Sequence, residues 1–419
     1  MTGPDRLASP GPAVAGDAGA DPRFGSPTPP GTSPTAVRVA LIDPSAFTPA
    51  YDHAIAAALA RRGAEVELIT SHFPHGPVPA PEGYRVRELF YRRAARFAPG
   101  LPVRTAAKLA AHVPGMVRLR GATRHADIVH LQWLAVPQLD LGLLPPRRPR
   151  LLTAHDVLPR EPRPGQVAAT RRILRGVDAV VVHSEYGAAR LRAEAGVASE
   201  RIHVIPHGAF EHLTRQVRER PLPAELAAIE VPVILFFGLV RPYKGVDVLI
   251  EAFGAIEGAE LWIAGMPRMS LEPLRELAAR APGPVRFIPR YVVDAEIPAL
   301  MRRADLVVLP YREIDQSGVL YTALAFARPL VLSAVGGFPE IAERHGAAEL
   351  VPPGDAAALA GTLRALLADP QRRAELAAAA ARAAVGPYSW DAVADRTLAL
   401  YEQLLGRRAE QARSAEIIG

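Results

Sequence analysis

A chain of 419 residues, 49 % hydrophobic and 22 % charged, carries enough apolar material for two cores at roughly 150 residues per domain. With no cysteine it has no disulfide framework, thiolate nucleophile or cysteine zinc site, which fits a cytoplasmic protein, and no apolar run reaches the ~18 residues of a membrane span. The net charge of +6 favours anionic partners such as phosphates, nucleic acid or a membrane surface, and with no basic region followed by an apolar stretch a secretory signal is not expected.

Residues 1–36 hold eight prolines and six glycines and read as a disordered tail. Order is expected from Val37-Arg-Val-Ala-Leu-Ile-Asp43, a strand, followed by a helix from about Tyr51 to Arg62 and a second strand over Glu65–Thr70. The cadence continues with short apolar runs at Asp127–Trp133, Arg150–Ala154, Ala179–His183 and Ile202–Pro206. Runs buried on both faces belong in a parallel sheet with helical crossovers. A Pro-rich, charged break falls near 209–231, after which the cadence restarts. Strands are expected at Val233–Gly238, Glu260–Gly265, Val285–Phe287, Asp305–Leu309, Pro329–Ser333 and Glu349–Val351, with a helix over Val246–Ile256. Ala356 to about Leu405 is Ala-rich and helical, interrupted at Gly386-Pro387. The pattern predicts two Rossmann-like α/β domains facing across a cleft, where loops leaving the strands carry the chemistry.

Three such loops stand out. Phe237-Gly-Leu-Val-Arg-Pro-Tyr-Lys-Gly245 sets Gly238, Arg241 and Lys244 beside a helix start, which suits a diphosphate or a plain solvated basic turn. Pro310–Val319 ends in Gln316-Ser-Gly-Val319, offering free amides at Ser317, Gly318 and Val319 or simply an ordinary helix cap. Val335-Gly-Gly-Phe-Pro-Glu340 follows another strand and reads equally well as a tight turn with a capping acid. In the first half, His155 follows the strand Arg150–Ala154 and is a candidate orienting group for the cleft, or a satisfied helix-capping histidine. His130, His183 and His207 are read as cleft walls or structure, while Tyr51, Asp52 and His53 are candidates to face the cleft.

Taken together, Gly238…Lys244-Gly245, Ser317-Gly318…Ala323–Pro329 and Val335–Glu340 resemble the retaining glycosyltransferases of family 4, which have the GT-B fold. Val204-Ile-Pro-His-Gly208 and Tyr388-Ser-Trp390 extend the resemblance over about residues 37–405. It implies an N-terminal acceptor-binding domain over 37–212, a C-terminal nucleotide-sugar-binding domain over 213–385, a helix over 386–405 crossing back to the N-terminal domain, and a tail over 406–419. The implied enzyme is of hexosyltransferase type and needs no cofactor. It moves a sugar from a UDP-, GDP- or ADP-linked donor to a hydroxyl of a polysaccharide, lipid-linked or small-molecule acceptor. His155 then lies near the donor sugar, and Gly238, Arg241, Lys244, Ser317, Gly318 and Val319 hold the diphosphate. The chain departs from the family pattern at three points: Leu239 follows the glycine where arginine is usual, Thr322 stands at the ribose glutamate, and the first glutamate has Glu313 or Asp315 as candidates. Asp315 is therefore a catalytic candidate, with Glu313, Gln316 and Thr322 near sugar and ribose and Tyr291–Val293 near the base.

No Asp-x-Asp pair in the folded region offers a metal site, so fixed cations and helix amides are expected to meet the leaving diphosphate without metal. Between Tyr91 and His125 stand Arg92, Arg93, Arg96, Arg104, Lys108, Arg118, Arg120 and Arg124 with no acid, interleaved with small apolar residues. This segment is a candidate for peripheral contact with an anionic membrane at its inner face, or a solvated basic insertion. Two other readings remain open, a nucleotide-sugar epimerase and a nucleotide-sugar-binding protein without turnover. A nicotinamide dehydrogenase lacks its Gly-x-Gly-x-x-Gly, and nucleic-acid binding is not expected from cations spread without aromatics.

Overall fold

The computed structural model describes residues 36–92, 94–96, 101–146 and 149–418. The expected tail over 1–36 lies, apart from Ala36, outside the described residues, as do Arg93 and residues 97–100 of the basic segment. Two parallel sheets form. The first contains β1 (Arg38–Asp43), β2 (Glu65–Ser71), β3 (Arg85–Phe90), β4 (Ile128–Leu131), β5 (Arg150–Thr153), β6 (Ala179–Val182) and β7 (Ile202–Val204), in the order β3-β2-β1-β4-β5-β6-β7. The second contains β8 (Val233–Phe237), β9 (Glu260–Ala264), β10 (Val285–Ile288), β11 (Leu306–Leu309), β12 (Leu330–Ser333) and β13 (Ala348–Val351), in the order β10-β9-β8-β11-β12-β13. Strand order reverses between β1 and β4 and again between β8 and β11, the crevices where open parallel sheets bind ligands. Central strands such as β1, β8 and β9 are buried almost throughout, as their continuous apolar runs require.

One strand was not anticipated. Arg-Val-Arg-Glu-Leu-Phe forms the edge strand β3, its residues exposed except at the carboxyl end. A half-solvated edge needs no apolar run, which is why its polar sequence hides it. The Ala-rich tail of the chain breaks at Asp369-Pro370 as well as at Gly386: helices Ala356–Ala368 and Pro370–Val385 are separated by Asp369, whose side chain caps the second by accepting from Arg372 N. The final helix runs Trp390–Ile418, so the tail expected at 406–419 continues as helix to Ile418. Apart from Gly406, Ser414, Ile417 and Ile418, residues 406–418 are alanine and straight-chain residues with high helix propensity.

That helix packs along helix Pro49–Arg61 of the first sheet's domain. Arg61 pairs with Asp391 at 2.7 Å, Arg62 grips Asp395 at 2.6 and 3.0 Å, and Tyr401 reaches His130 on β4 at 2.7 Å. One apolar core therefore runs from Leu41 and Val66 through Tyr51, Phe210 and Trp390 into the second sheet, while a second core covers the other face of the first sheet. The chain crosses between the sheets twice, at 205–232 and at 386–390. These crossings meet where Ala209 N donates to Tyr388 O at 2.7 Å.

Candidate active site

On the second sheet's side, two loops converge at the β8/β11 crevice. Gly238 leaves β8 with φ +112°, and a Cβ there would stand 3.0 Å from Val319 Cγ2 and 3.3 Å from Lys244 Nζ. Gly245 ends the turn Pro242–Lys244 with φ +63°, where a Cβ would lie 2.0 Å from Pro310 O, so only glycine lets the two loops touch. Lys244 is buried, its ammonium 4.9 Å from the centroid of the Tyr311 ring, and among the described residues it has no ion-pair partner. Burial first, then Arg160 and Arg241, push its pKa down to about 8. Arg241 is a third exposed and faces Glu161 across the cleft at 3.7 Å.

Helix Gly318–Ala325 begins opposite, and its seat is shifted from the expected one. Gln316 folds back so that its Oε1 accepts from Ser317 N at 3.1 Å, and Ser317 Oγ lies 3.3 Å from Tyr311 O–H without capping the helix. Ser317 N is thus engaged, while Gly318 and Val319 open the helix, and the Val319 side chain and Lys244 Nζ both lie beside Gly238. Thr322 is buried with its hydroxyl donated back to Gly318 O at 3.1 Å. Glu313 is exposed, and its carbonyl accepts from Arg160 at 3.2 Å.

Asp315, a catalytic candidate, has both carboxylate oxygens engaged by the other sheet's domain: Oδ2 accepts from Val157 N at 3.0 Å and Oδ1 is paired with Arg190. In this structure it is a tie between the loop after β11 and the His155 loop. Glu340 acts in the same way. The sequence suggests a capping acid in a tight turn, whereas its carboxylate accepts from Glu185 N and Tyr186 N at 3.2 and 3.0 Å, at the start of a helix in the other domain. Arg160 adds a third tie, stacking on Tyr243 at 4.7 Å. Loops leaving β5 and β6 thus meet loops leaving β11 and β12. Arg160 and Arg190 carried no sequence signal, because their partners lie 153 and 125 positions away.

On the first sheet's side, His155 sits in an aromatic cluster, stacked on Trp133 at 4.9 Å and met edge-on by Tyr51 at 4.7 Å. Its Nδ1 is 3.1 Å from His183 Nε2, and its Nε2 is buried without a partner. Burial, then His183, His207 and His130, hold its pKa well below the usual histidine value. His207 stacks on Tyr321 at 4.4 Å, which makes it a wall between the domains. Of the three residues expected at the cleft, Tyr51 lines it. Asp52 is buried beneath, its pKa raised by burial and by Asp43, and His53 turns away to Tyr84 at 2.6 Å. Asp43 shapes the loop above by accepting from the amides of Ser45, Phe47 and Thr48.

Between the domains opens a cavity of 530 Å³ whose walls include Tyr51, Lys108, Arg241, Arg268 and Tyr291. Tyr291 stacks on His75 of the other domain at 5.3 Å, so the segment expected near the base lines this cleft. A larger cavity of 780 Å³ lies behind the crossings, against Tyr84, His212 and Trp390, and touches none of the loop residues above. Among the described residues no group of three or more His, Asp or Glu side chains is arranged to hold a metal ion, and no helix is long and apolar enough to cross a membrane.

Comparison with known proteins agrees with this geometry. Residues 51–209 match the family model described as Glycosyltransferase Family 4, and residues 231–369 match Glycosyl transferases group 1. A D-inositol 3-phosphate glycosyltransferase of Kineococcus radiotolerans is 30 % identical over 408 residues, covering 86 % of this chain and 90 % of that protein. Among solved structures, sucrose-phosphate synthase from Thermosynechococcus elongatus superposes with TM-score 0.69 at 22 % identity, over 88 % of this chain and 100 % of that one. The Anabaena protein HepE in complex with UDP-glucose gives 0.65 at 18 %, over 88 % and 100 %. With two parallel-sheet domains in the GT-B arrangement and a relative at this identity over nearly its full length, the chain belongs to glycosyltransferase family 4 and is a glycosyltransferase.

Proposed function

We propose that this enzyme transfers a glycosyl group from a nucleotide-sugar donor, held by the domain of β8–β13, to a hydroxyl of an acceptor seated against the domain of β1–β7. The anomeric configuration is retained and no metal takes part. The observation that carries this is Lys244: a buried ammonium without a carboxylate partner, beside Gly238 and the helix start at Gly318 and Val319. A cation so placed loses hydration without gaining a counter-ion, unless a ligand brings one. A departing nucleoside diphosphate is such a ligand. Arg241 adds a second charge, and preorganised donors of this kind stabilise developing negative charge where a metal otherwise would. Asp315 positions the His155 loop, and Gln316 and Thr322 pack under the donor seat. Relatives named for D-inositol 3-phosphate, together with Lys108 and Arg268 in the cavity wall, favour a phosphorylated polyol as acceptor.

The test is thermal stabilisation by UDP, GDP and ADP and their sugars in EDTA, for wild type and Lys244→Ala, followed by transfer to inositol phosphates. One nucleotide should stabilise the wild type by about 2.7 kcal/mol at 100 times its dissociation constant and the variant far less. Product NMR reports the anomer. Free epimerised sugar, or tight binding without transfer to any acceptor, would replace this reading with one of its two rivals.

Helix Pro102–Ala122 adds a location to the reaction. Val103, Leu109, Val113 and Val117 are 41–56 % exposed and recur at helical spacing, with Arg118, Arg120 and Arg124 exposed at the same end and no acid between 91 and 125. This face is proposed to rest on an anionic bilayer at its cytoplasmic side. Flotation with anionic vesicles at low salt should carry the protein, and Val113→Glu with Val117→Glu should leave it behind. No binding of the wild type would remove the membrane from the account.

A further inference from the structure

His155 is held in one tautomer by a neighbouring histidine. A backbone carbonyl only accepts, so the 2.9 Å contact between His183 Nδ1 and Ile205 O puts the His183 proton on Nδ1. His183 is neutral across the physiological range, because burial pushes its pKa down to about 4. Its Nε2 is therefore a bare lone pair. The 3.1 Å contact from that lone pair to His155 Nδ1 can be filled only by a proton on His155 Nδ1. His155 Nε2 is then also a bare lone pair, and it is the ring atom left buried without a partner. The ring cannot turn away, since Trp133 stacks parallel to it at an interplanar angle of 12° and Tyr51 closes its edge. A cavity of 130 Å³ lined by Gln132, His155, Asp156 and Thr170 opens beside it. In it Gln132, also buried, has both amide atoms unpartnered. A histidine side chain in water favours the opposite tautomer, so the contact from His183 is what holds the proton on His155 Nδ1.

We propose that His183 is a positioning residue that fixes His155 as a hydrogen-bond acceptor, so that the substrate atom meeting His155 Nε2 must be a hydroxyl that donates. The proposal rests on the reading of His155 as a cleft group of the transferase, and it adds a polarity to that group. A sugar hydroxyl satisfies this site, whereas fluorine or hydrogen in its place leaves the lone pair buried and empty.

Full-length protein labelled with ¹⁵N-histidine tests the relay without any turnover. Two-bond ¹H–¹⁵N correlations at pH 7.5, assigned with His155→Asn, should show His155 protonated at Nδ1 and bare at Nε2. His183→Phe should convert it to the other tautomer or a mixture and lower kcat on the order of 10–100-fold with little change in donor KM. His183→Gln carries one acceptor and one donor, and should restore both the Nδ1–H signal and most of kcat. A wild-type His155 protonated at Nε2 overturns the proposal, as does a Phe variant whose tautomer and kcat are those of wild type. The last arm titrates donor sugars that carry single deoxy or fluoro replacements. One hydroxyl should prove indispensable for moving the His155 Nε2 resonance, and a donor that moves it with every hydroxyl replaced in turn overturns the second half of the proposal. Absence of transfer with every donor, with the tautomer as stated, would instead count against the transferase reading.

Discussion

As the proposed diphosphate contact, Lys244 ties an affinity to a pH dependence. The free protein loses its proton as pH rises through about 8. A bound diphosphate favours the charged form, so binding takes up a proton above that pH and none below it. Nucleoside diphosphate affinity should therefore be level from pH 6.5 to 7.5 and fall above pH 8, by up to tenfold per pH unit. Calorimetric titrations over pH 6.5–9.5 measure this directly. Lys244→Arg, whose guanidinium stays charged, should bind with a flat profile. Lys244→Ala should be flat and weak, with a rate lower by on the order of 10²–10³. A wild-type profile that stays level to pH 9.5 would mean that the ammonium does not meet the phosphates.

At the scale of elements, the loop after β11 joins two roles: its end is the proposed anion seat and its middle ties the domains together through Asp315. Asp315→Ala removes the acceptor of Val157 N and one partner of Arg190, which keeps Glu194 at 2.6 Å. Hydrogen bonds to charged groups contribute about 1.5–3 kcal/mol each, so a loss of about 2–4 kcal/mol is expected in urea melts. Asp315→Asn keeps an oxygen for Val157 and should lose less. Both should slow transfer more than they weaken nucleotide binding, because the His155 loop is what moves. The same element marks the boundary of what could be read in advance. β8 and β11 announce themselves as apolar runs, and the glycines and Lys244 keep a recognisable spacing along one loop. Nothing local in the chain pairs Asp315 with Arg190 or distinguishes His183 as the partner of His155. These are contacts between distant segments, set by how the sheets face each other, as β3 is set by lying at an edge.

At the scale of the whole molecule, the histidines set the acid limit. Burial pushes His183 down to about 4 and His130 to about 3, and holds His155 and His207 well below the usual value. Above pH 6.5 neither the folded nor the unfolded chain protonates them. As pH falls from 6.5 toward 4 the unfolded chain gains protons that the folded one refuses, and each such imidazole removes about 1.4 kcal/mol of stability per pH unit. Asp43, Asp52, Asp156, Glu211 and Asp294, all raised by burial, work in the opposite direction, but among the described residues nine histidines are lowered. Urea midpoints should therefore be level near pH 7 and drop between pH 6.5 and 5, before ordinary carboxylates titrate. A flat midpoint there would mean the cluster admits protons freely. Both crossings and the cores they join are legible in outline from the Pro-rich break and from Tyr388-Ser-Trp390, but the joint itself is not. A Cβ at Gly208 would stand 2.4 Å from the indole of Trp390, and Ala209 is stitched to Tyr388 beside it. With no room for a side chain at Gly208, the two crossings are packed as one block, so Gly208→Ala should lower the urea midpoint and disturb the facing of the walls that carry Lys244 and His155.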